Sequence, residues 1–202
     1  MAGEVGEVIS AIDTHLQGRK QEVAILVIDP QWDFTEFGSD ILTPAVGAVP
    51  VPGSNLQYMQ TVNELTATLK ERLDAPVWVT QEPHQSEHVG AMPFLRRDLI
   101  DHVFYKEKPS DVESHSAFRD AAGQWNDLAE QLRQAGHSVL VVYGLATDFS
   151  VLQTMLDARE LSFEVWWIQA GSRGIFIRDS QSVEQVEYEV LQQMRAADVH
   201  IL

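Results

Sequence analysis

The sequence contains no cysteine. Disulfide bonds and thiolate metal sites are therefore excluded, and this absence fits a cytoplasmic protein. Basic residues are also few, since 14 Lys and Arg stand against 30 Asp and Glu and give a formal net charge of −16. A nucleic-acid-binding protein would need a basic face, and anionic membrane surfaces repel an acidic chain. We therefore expect no nucleic-acid partner and no membrane partner.

The sequence also lacks long apolar runs. The longest are Val23–Ile28, Val139–Tyr143 and Val165–Ile168, all far below the roughly 20 residues that a membrane-spanning helix needs. Met1–Lys20 has acidic residues near its start and no continuous apolar core, so it does not resemble a signal peptide. The length of 202 residues predicts a single domain, residues 1–202, with an amphipathic helix within residues 1–20.

Short apolar segments alternate with helical patterns along the chain. Strands are predicted at Val23–Ile28, Val77–Thr80, Val103–Tyr105, Val139–Tyr143, Phe163–Ile168 and Val199–Leu202. Helices are predicted at Ser54–Leu73 with Ser54 as N-cap, Trp125–Gln134, Ser150–Arg159 and Val183–Ala197. This alternation predicts an α/β fold, with a doubly wound, mostly parallel sheet of about six strands and helices on both faces.

Three chemically active residues follow three of the predicted strands. Asp29 comes directly after the first strand, Lys106 after the third, and Ser150 at the start of the helix that follows the fourth. The carboxyl ends of parallel strands share one edge of the sheet, so these side chains are expected to converge. A helix N-terminus adds N–H donors and a partial positive charge, which suit a developing oxyanion. The pattern predicts a catalytic site at this edge.

Four segments carry a family resemblance. The chain contains, in this order, LVIDPQWDF, VTQEPHQSEH, KEKPSDVESHSAF and GLATDFSVLQTMLDA. They resemble the opening strand with its catalytic aspartate, the TxDxH…H loop, the lysine-to-SAF spacing and the GxATDxCVxxTxxDA nucleophile segment of the isochorismatase-like family. This family is also called the cysteine hydrolase or nicotinamidase-related family. The resemblance runs from about Val23 to the C-terminus and implies an isochorismatase-like hydrolase fold.

The resemblance also implies a reaction. It indicates an amidase-type hydrolase that cleaves a small, non-peptide amide or a related C–N bond through a covalent intermediate at position 150. Asp29 would carry the proton to the leaving amine and Lys106 would stabilise charge. A cis peptide bond is implied between Leu145 and Ala146, and the N–H groups of Ala146 and Ser150 would form the oxyanion hole.

Ser150 departs from the family, whose nucleophile is a cysteine. A thiol is partly thiolate near neutral pH, whereas a serine hydroxyl needs an effective base. Three explanations stay open: an inactivated Cys→Ser variant, a natural serine homologue helped by Asp29 and Lys106, or a member that works without a nucleophile. The last would resemble true isochorismatases, in which an aspartate protonates a vinyl ether. A catalytically silent member that binds a small ligand is a further alternative.

Aromatic side chains beside the catalytic segments are candidates for substrate binding. Trp32, Phe34 and Phe149 would sandwich a planar molecule, and Phe34 matches a family position that lines the pocket. Core packing is the alternative role for at least one of them. The long segment from Asp33 to Ser54 is placed to cover the site, as long loops in compact domains often do.

The loop after the second strand carries candidate metal ligands, Glu82, His84 and His88. In nicotinamidases the matching loop reads Asp-x-His…His, with another histidine downstream. This chain has Glu82 instead of the aspartate, and His102 does not fit the position of the further histidine. A polar pocket wall is the alternative reading. We therefore predict that no cofactor is required, and the incomplete set weighs against nicotinamide as substrate.

The expected partners are a small-molecule substrate and other copies of the chain. Members of the family are commonly oligomeric, so a homo-oligomer is predicted, either a dimer or a tetramer. Trp166 and Trp167 are predicted to lie in the core or at a subunit interface. Together with the amphipathic N-terminal helix they would supply additional apolar surface.

Overall fold

The computed structural model describes residues 2–16, 18–37, 50–82, 93–106, 115–120 and 122–202. The helices of these parts are α1 (Ala2–Leu16), α2 (Leu56–Leu73), α3 (Leu128–Gln134), α4 (Leu152–Glu160) and α5 (Val183–Ala196). The strands are β1 (Val23–Ile28), β2 (Val77–Gln81), β3 (His102–Tyr105), β4 (Val139–Gly144), β5 (Glu164–Trp167) and β6 (His200–Ile201). No helix within these ranges combines the length and apolarity needed to cross a membrane.

The strands form one parallel sheet in the order β3-β2-β1-β4-β5-β6. β1 and β4 lie at its centre, and every residue in both strands is buried. Burial on both faces explains why their sequences are continuous apolar runs without alternating polar residues. Helices cover both faces of the sheet, so the predicted doubly wound α/β fold is confirmed.

Successive residues of each strand feed two separate cores, because side chains alternate between the faces of a sheet. Ile25 of β1 packs on the face that carries α1 and α2. Its neighbour Leu26 packs on the other face, with α3, α4 and α5. Trp166 and Trp167 alternate in the same way and are 5% and 3% exposed. They therefore belong to the core, and the expectation that they offer additional apolar surface is wrong.

Three helices begin later than predicted, and loop contacts account for two of them, α2 and α3. Asn55 is the N-cap of α2, and its side chain accepts a hydrogen bond from a backbone N–H of the first turn. The predicted cap, Ser54, is buried and its hydroxyl donates instead to the carbonyl of Val51. α3 does not extend back to Trp125, because this residue forms a β-bridge with Arg119. Both differences come from loop contacts that apolar periodicity does not report.

The strand order reverses between β1 and β4, and the two strands pair up to Ile28 and Gly144. Gly144 has a φ of +133°, and a Cβ on it would lie 2.2 Å from the carbonyl oxygen of Ile28. Only glycine permits this close approach. Open α/β sheets bind ligands at such a reversal, outside the carboxyl ends of the strands. The residues that follow β1 and β4 are therefore the first place to look for a site.

Candidate active site

Asp29 follows β1 directly and is 1% exposed. Its φ of +45° is uncommon for a residue other than glycine, although aspartate tolerates it better than most. Thr80 of β2 contacts it twice. The Thr80 hydroxyl donates to Asp29 Oδ1 at 2.7 Å, and the Asp29 N–H donates to the same hydroxyl oxygen at 3.1 Å. One side chain on the neighbouring strand thus fixes both the backbone and the carboxylate of Asp29.

Lys106 follows β3, and its N–H donates to the carbonyl of Gln81 at 2.8 Å. Its side chain is 2% exposed and forms a short ion pair with Asp29 Oδ2. Lys106 Nζ also lies 3.5 Å from Oε1 of Glu82, which is itself buried. An ammonium group without a counter-charge would be very costly at this depth, so the two carboxylates are what keep the lysine inside.

Ser150 lies in the π-helical turn Thr147–Val151, which joins β4 to α4, and its side chain is 7% exposed. The predicted α-helix therefore starts just after Ser150 and not at it. Asp148 holds the turn in place, since its carboxylate accepts hydrogen bonds from the N–H groups of Ile175 at 2.9 Å and Phe176 at 2.7 Å. Short π-helical segments are frequent at functional sites.

The backbone before this turn has an available donor. The peptide bond between Leu145 and Ala146 is cis, as the family resemblance implies. The Ala146 carbonyl accepts hydrogen bonds from the N–H groups of Phe149 and Val151, both at 3.1 Å. Within the described ranges, the Ala146 N–H itself donates to no protein acceptor. It is therefore a group that a substrate oxygen can use.

These residues surround a cavity of about 120 Å³. It is lined by Asp29, Phe34, Val51, Glu82, His115, Leu145, Ala146, Phe149, Ser150 and Ile175. The structure thus brings together the predicted acid–base residue, the residue in the nucleophile position, one predicted oxyanion donor and two of the three predicted aromatics. Lys106 reaches the cavity through its ion pair with Asp29.

Trp32 is the predicted binding residue that the structure places elsewhere. It is partly buried and packs against the core on the α1 and α2 side of the sheet. Phe34, two residues later, turns towards the cavity because Trp32–Phe34 forms a 3₁₀ turn. Asp33 in the same turn is 1% exposed, and burial raises the pKa of its carboxyl group.

Glu82 is the described member of the predicted metal set, since His84 and His88 lie outside the described residues. Gln31 orients its backbone: the Gln31 amide donates to the Glu82 carbonyl at 3.1 Å, and the Glu82 N–H donates to Gln31 Oε1 at 2.7 Å. In the described part of the chain, no group of three metal-ligand atoms gathers at the cavity. The described residues alone therefore do not form a metal centre at the cavity, and the described groups that can take part in chemistry there are protein groups.

Sequence reasoning missed three contributors to the site. In the sequence Thr80 is an ordinary strand residue. The signal that could have identified it is a hydroxyl near the end of the strand next to the one that Asp29 follows. Val51 and Ile175 line the cavity from segments far apart in the chain. Nothing in their spacing indicates this position, because it depends on how the loops after β1 and β5 return to the sheet edge.

Comparisons with known proteins agree with this geometry. A family model described as the isochorismatase domain matches residues 23–187. The nicotinamidase of Escherichia coli (strain K12) is 37% identical over 184 residues, covering 79% of this chain and 86% of the relative. The nicotinamidase of Schizosaccharomyces pombe is 40% identical over 65 residues, covering 32% of this chain and 30% of the relative.

Two solved structures share the fold over most of both chains. The pyrazinamidase of Pyrococcus horikoshii, in complex with zinc, superposes with a TM-score of 0.69 at 26% identity, covering 90% of this chain and 98% of its own. PnC1 from L. infantum, in complex with nicotinate, gives a TM-score of 0.71 at 21% identity, covering 91% of this chain and 93% of its own. The similarity therefore extends over nearly the whole chain.

Proposed function

The chain belongs to the isochorismatase family, in which it is an amidase-type hydrolase, and we propose that it releases ammonia from a small aromatic carboxamide. The observation that carries this proposal is the single cavity lined by Asp29, Ala146 and Ser150, with Lys106 paired to Asp29 behind it. The nicotinamidase of E. coli, at 37% identity, supports a carboxamide as the group that is cleaved.

The proposed first half-reaction uses three protein groups. Ser150 Oγ attacks the amide carbon, and its proton passes to the carboxylate of Asp29. The carbonyl oxygen becomes an oxyanion, which the N–H groups of Ala146 and Ser150 stabilise. Asp29 then gives the proton to the amide nitrogen, the C–N bond breaks and ammonia leaves. The product of this step is an ester between the acyl group and residue 150.

The second half-reaction repeats the same proton transfers with water. Asp29 accepts a proton from the water molecule that attacks the ester, and returns it to Ser150 Oγ as the ester bond breaks. Lys106 holds Asp29 in place and offsets its negative charge whenever the carboxylate is unprotonated. The two half-reactions together consume one water and release one carboxylic acid and one ammonia.

The lining of the cavity favours a neutral, planar substrate. Phe34 and Phe149 provide aromatic surface, which suits a flat ring. Asp29 and Glu82 bring two carboxylates to the same space, and Lys106 supplies one compensating cation. An anionic substrate would be repelled, and so would the carboxylate product, which helps its release. Nicotinamide and pyrazinamide are neutral and planar, so both are candidate substrates. The 37% identical nicotinamidase of E. coli supports including nicotinamide, against which the incomplete ligand set of the loop had weighed.

The test is an ammonia-release assay with aromatic and aliphatic carboxamides, run on the protein and on Ser150→Cys. A thiolate is the stronger nucleophile, so the cysteine form is expected to turn over aromatic carboxamides faster. A cysteine form that is inert on every amide, together with a serine form that cleaves a vinyl ether such as isochorismate, would contradict the proposal. That result would favour the second candidate function, a vinyl-ether hydrolase that works without a nucleophile. The observation in favour of this candidate is that position 150 carries a serine and not the cysteine of the family.

A further inference from the structure

A second cluster of potential ligands lies away from the cavity. His15 is in the last turn of α1, Glu164 is the first residue of β5, and His200 is the first residue of β6. One ligand atom from each side chain lies within 4.8 Å of the other two. Because Glu164 begins its strand, the cluster is set back from the carboxyl edge of the sheet, where the candidate active site lies.

Strand geometry and ring packing hold the cluster together. Glu164 and Trp166 are two residues apart on β5 and so share one face of the sheet. His200 pairs with Trp166 in register, and their rings stack with centroids 4.2 Å apart. His15 packs edge-on against the same indole at 4.9 Å, and its ring centroid is also 4.9 Å from that of His200. Trp166 is therefore a rigid support for both imidazoles.

The carboxylate of Glu164 presents one oxygen to the imidazoles. Oε2 accepts a hydrogen bond from Arg19 at 2.6 Å, which fixes the carboxylate and neutralises part of its charge. Oε1 accepts a hydrogen bond from the Trp166 indole at 2.8 Å and lies 3.3 Å from His15 Nε2. Such hydrogen bonds to a ligating carboxylate are the outer support that metal sites use.

We propose that His15, Glu164 and His200 bind a divalent transition metal of the zinc type. Two imidazoles and a carboxylate are a ligand set that zinc accepts, with water in the remaining position. Bonds of about 2.0–2.2 Å in a tetrahedral site put ligand atoms roughly 3.4 Å apart. The ligand atoms lie within 4.8 Å of one another, so the cluster must close by up to about 1.4 Å. The His15 side chain is 46% exposed and borders an open groove, which gives it room to move and lets the ion enter.

The bound metal would act as a clamp. It would join the end of α1 to β5 and β6 at the edge of the sheet. Without metal, α1 is held there by apolar packing and by the contact of His15 with Glu164, and Arg19, just after the helix, pairs with the same carboxylate. This role is independent of the proposed amide hydrolysis, because no residue of the cluster lines the catalytic cavity. Metal binding at this site is therefore expected to change stability and leave turnover unaffected.

The experiment is a zinc titration by calorimetry on chelator-treated, dialysed protein. The starting protein carries His84→Gln and His88→Gln, so that the loop histidines cannot bind the ion. One zinc per chain is expected. His15→Gln and His200→Gln, added singly, should each weaken binding by at least about 100-fold, because losing even an outer support costs 10- to 100-fold.

His102→Gln is the matched control. His102 stacks on Trp78 with ring centroids 4.0 Å apart, as His200 does on Trp166, but it is not part of the three-ligand cluster. This variant should bind zinc like the starting protein. The melting temperature without zinc shows that each variant is folded, and added zinc should raise it in the starting protein but not in His15→Gln. Absence of binding in the starting protein would overturn the proposal, and so would binding in His15→Gln or His200→Gln as tight as that of the starting protein.

Discussion

Replacing Thr80 with valine tests whether the contacts of Asp29 position it for catalysis. The two side chains have nearly the same shape, but valine removes the hydroxyl that donates to Asp29 Oδ1 and accepts from the Asp29 N–H. Both groups are buried, so water does not replace the lost partner. The substitution therefore removes a hydrogen bond to a charged group without creating a cavity.

The magnitude follows from that contact. A hydrogen bond to a charged group contributes about 1.5–3 kcal/mol. For a chain of 202 residues, each kcal/mol corresponds to roughly 2–4 °C, so the melting temperature of Thr80→Val should fall by about 3–12 °C. If the same bond aligns Asp29 in the transition state, kcat should fall by about 10- to 100-fold, since about 1.36 kcal/mol is tenfold. KM should change little, because Thr80 does not line the cavity.

The control is Thr80→Ser, which keeps the hydroxyl and loses only the methyl group. Steady-state ammonia release and thermal unfolding, measured on both variants, separate the two contributions. We expect Thr80→Ser to retain most of the wild-type kcat. A normal kcat in Thr80→Val, despite a lower melting temperature, would show that the hydroxyl is purely structural. Equal losses in both variants would assign the effect to the methyl group and refute the reasoning.

Three further predictions concern the Asp29–Lys106 pair, the carboxyl group of Asp101 and the effect of removing metal. Asp29→Asn and Lys106→Met should each lower turnover by at least about 100-fold. Lys106→Met should also lower the free energy of unfolding, measured by denaturant titration, by about 3–5 kcal/mol, because two buried carboxylates lose their counter-charge. Burial raises the pKa of Asp101, but hydrogen bonds from Lys70 and a backbone N–H outweigh it and leave this pKa below its ordinary value. The stability that Asp101 contributes is thus present at neutral pH and lost as the pH falls through the lowered pKa. The difference in melting temperature between the unchanged protein and Asp101→Asn should therefore disappear in acid. A difference that stays constant with pH would contradict this. Chelator treatment should leave amide turnover unchanged while lowering the melting temperature, and lost turnover that zinc, manganese or iron restores would show that a metal takes part in catalysis.

The central strands and the residues after them are predictable from sequence because local chemistry determines them. A short, continuous Val/Ile/Leu run favours a strand that is buried on both faces, and every residue of β1 and β4 is buried. A charged residue directly after such a run is expected at the carboxyl edge of the sheet, which is why Asp29 could be placed. Lys106 follows the short, largely exposed strand β3, and its position was predicted from the alternation of strands and helices and from the family spacing.

Features that depend on distant contacts could not be predicted in this way. Ser54 has a good N-cap side chain, but its hydroxyl is engaged by a loop carbonyl, so Asn55 caps α2 instead. Trp32 is also aromatic and lies nearer to Asp29 in sequence than Phe34 does. In the 3₁₀ turn, however, only Phe34 of the two lines the cavity. The histidine cluster joins residues from both ends of the chain. The register between β5 and β6 brings in His200, and the packing of α1 against Trp166 brings in His15.

The most direct test of the account is the rate of ammonia release from one aromatic carboxamide by three proteins that differ only at position 150. In the proposed mechanism this side chain attacks the carbonyl carbon. We therefore expect the highest kcat/KM for Ser150→Cys, a lower value for the serine form, and a rate near background for Ser150→Ala. A Ser150→Ala protein that hydrolyses the amide as fast as the serine form would show that the side chain at position 150 is not the nucleophile.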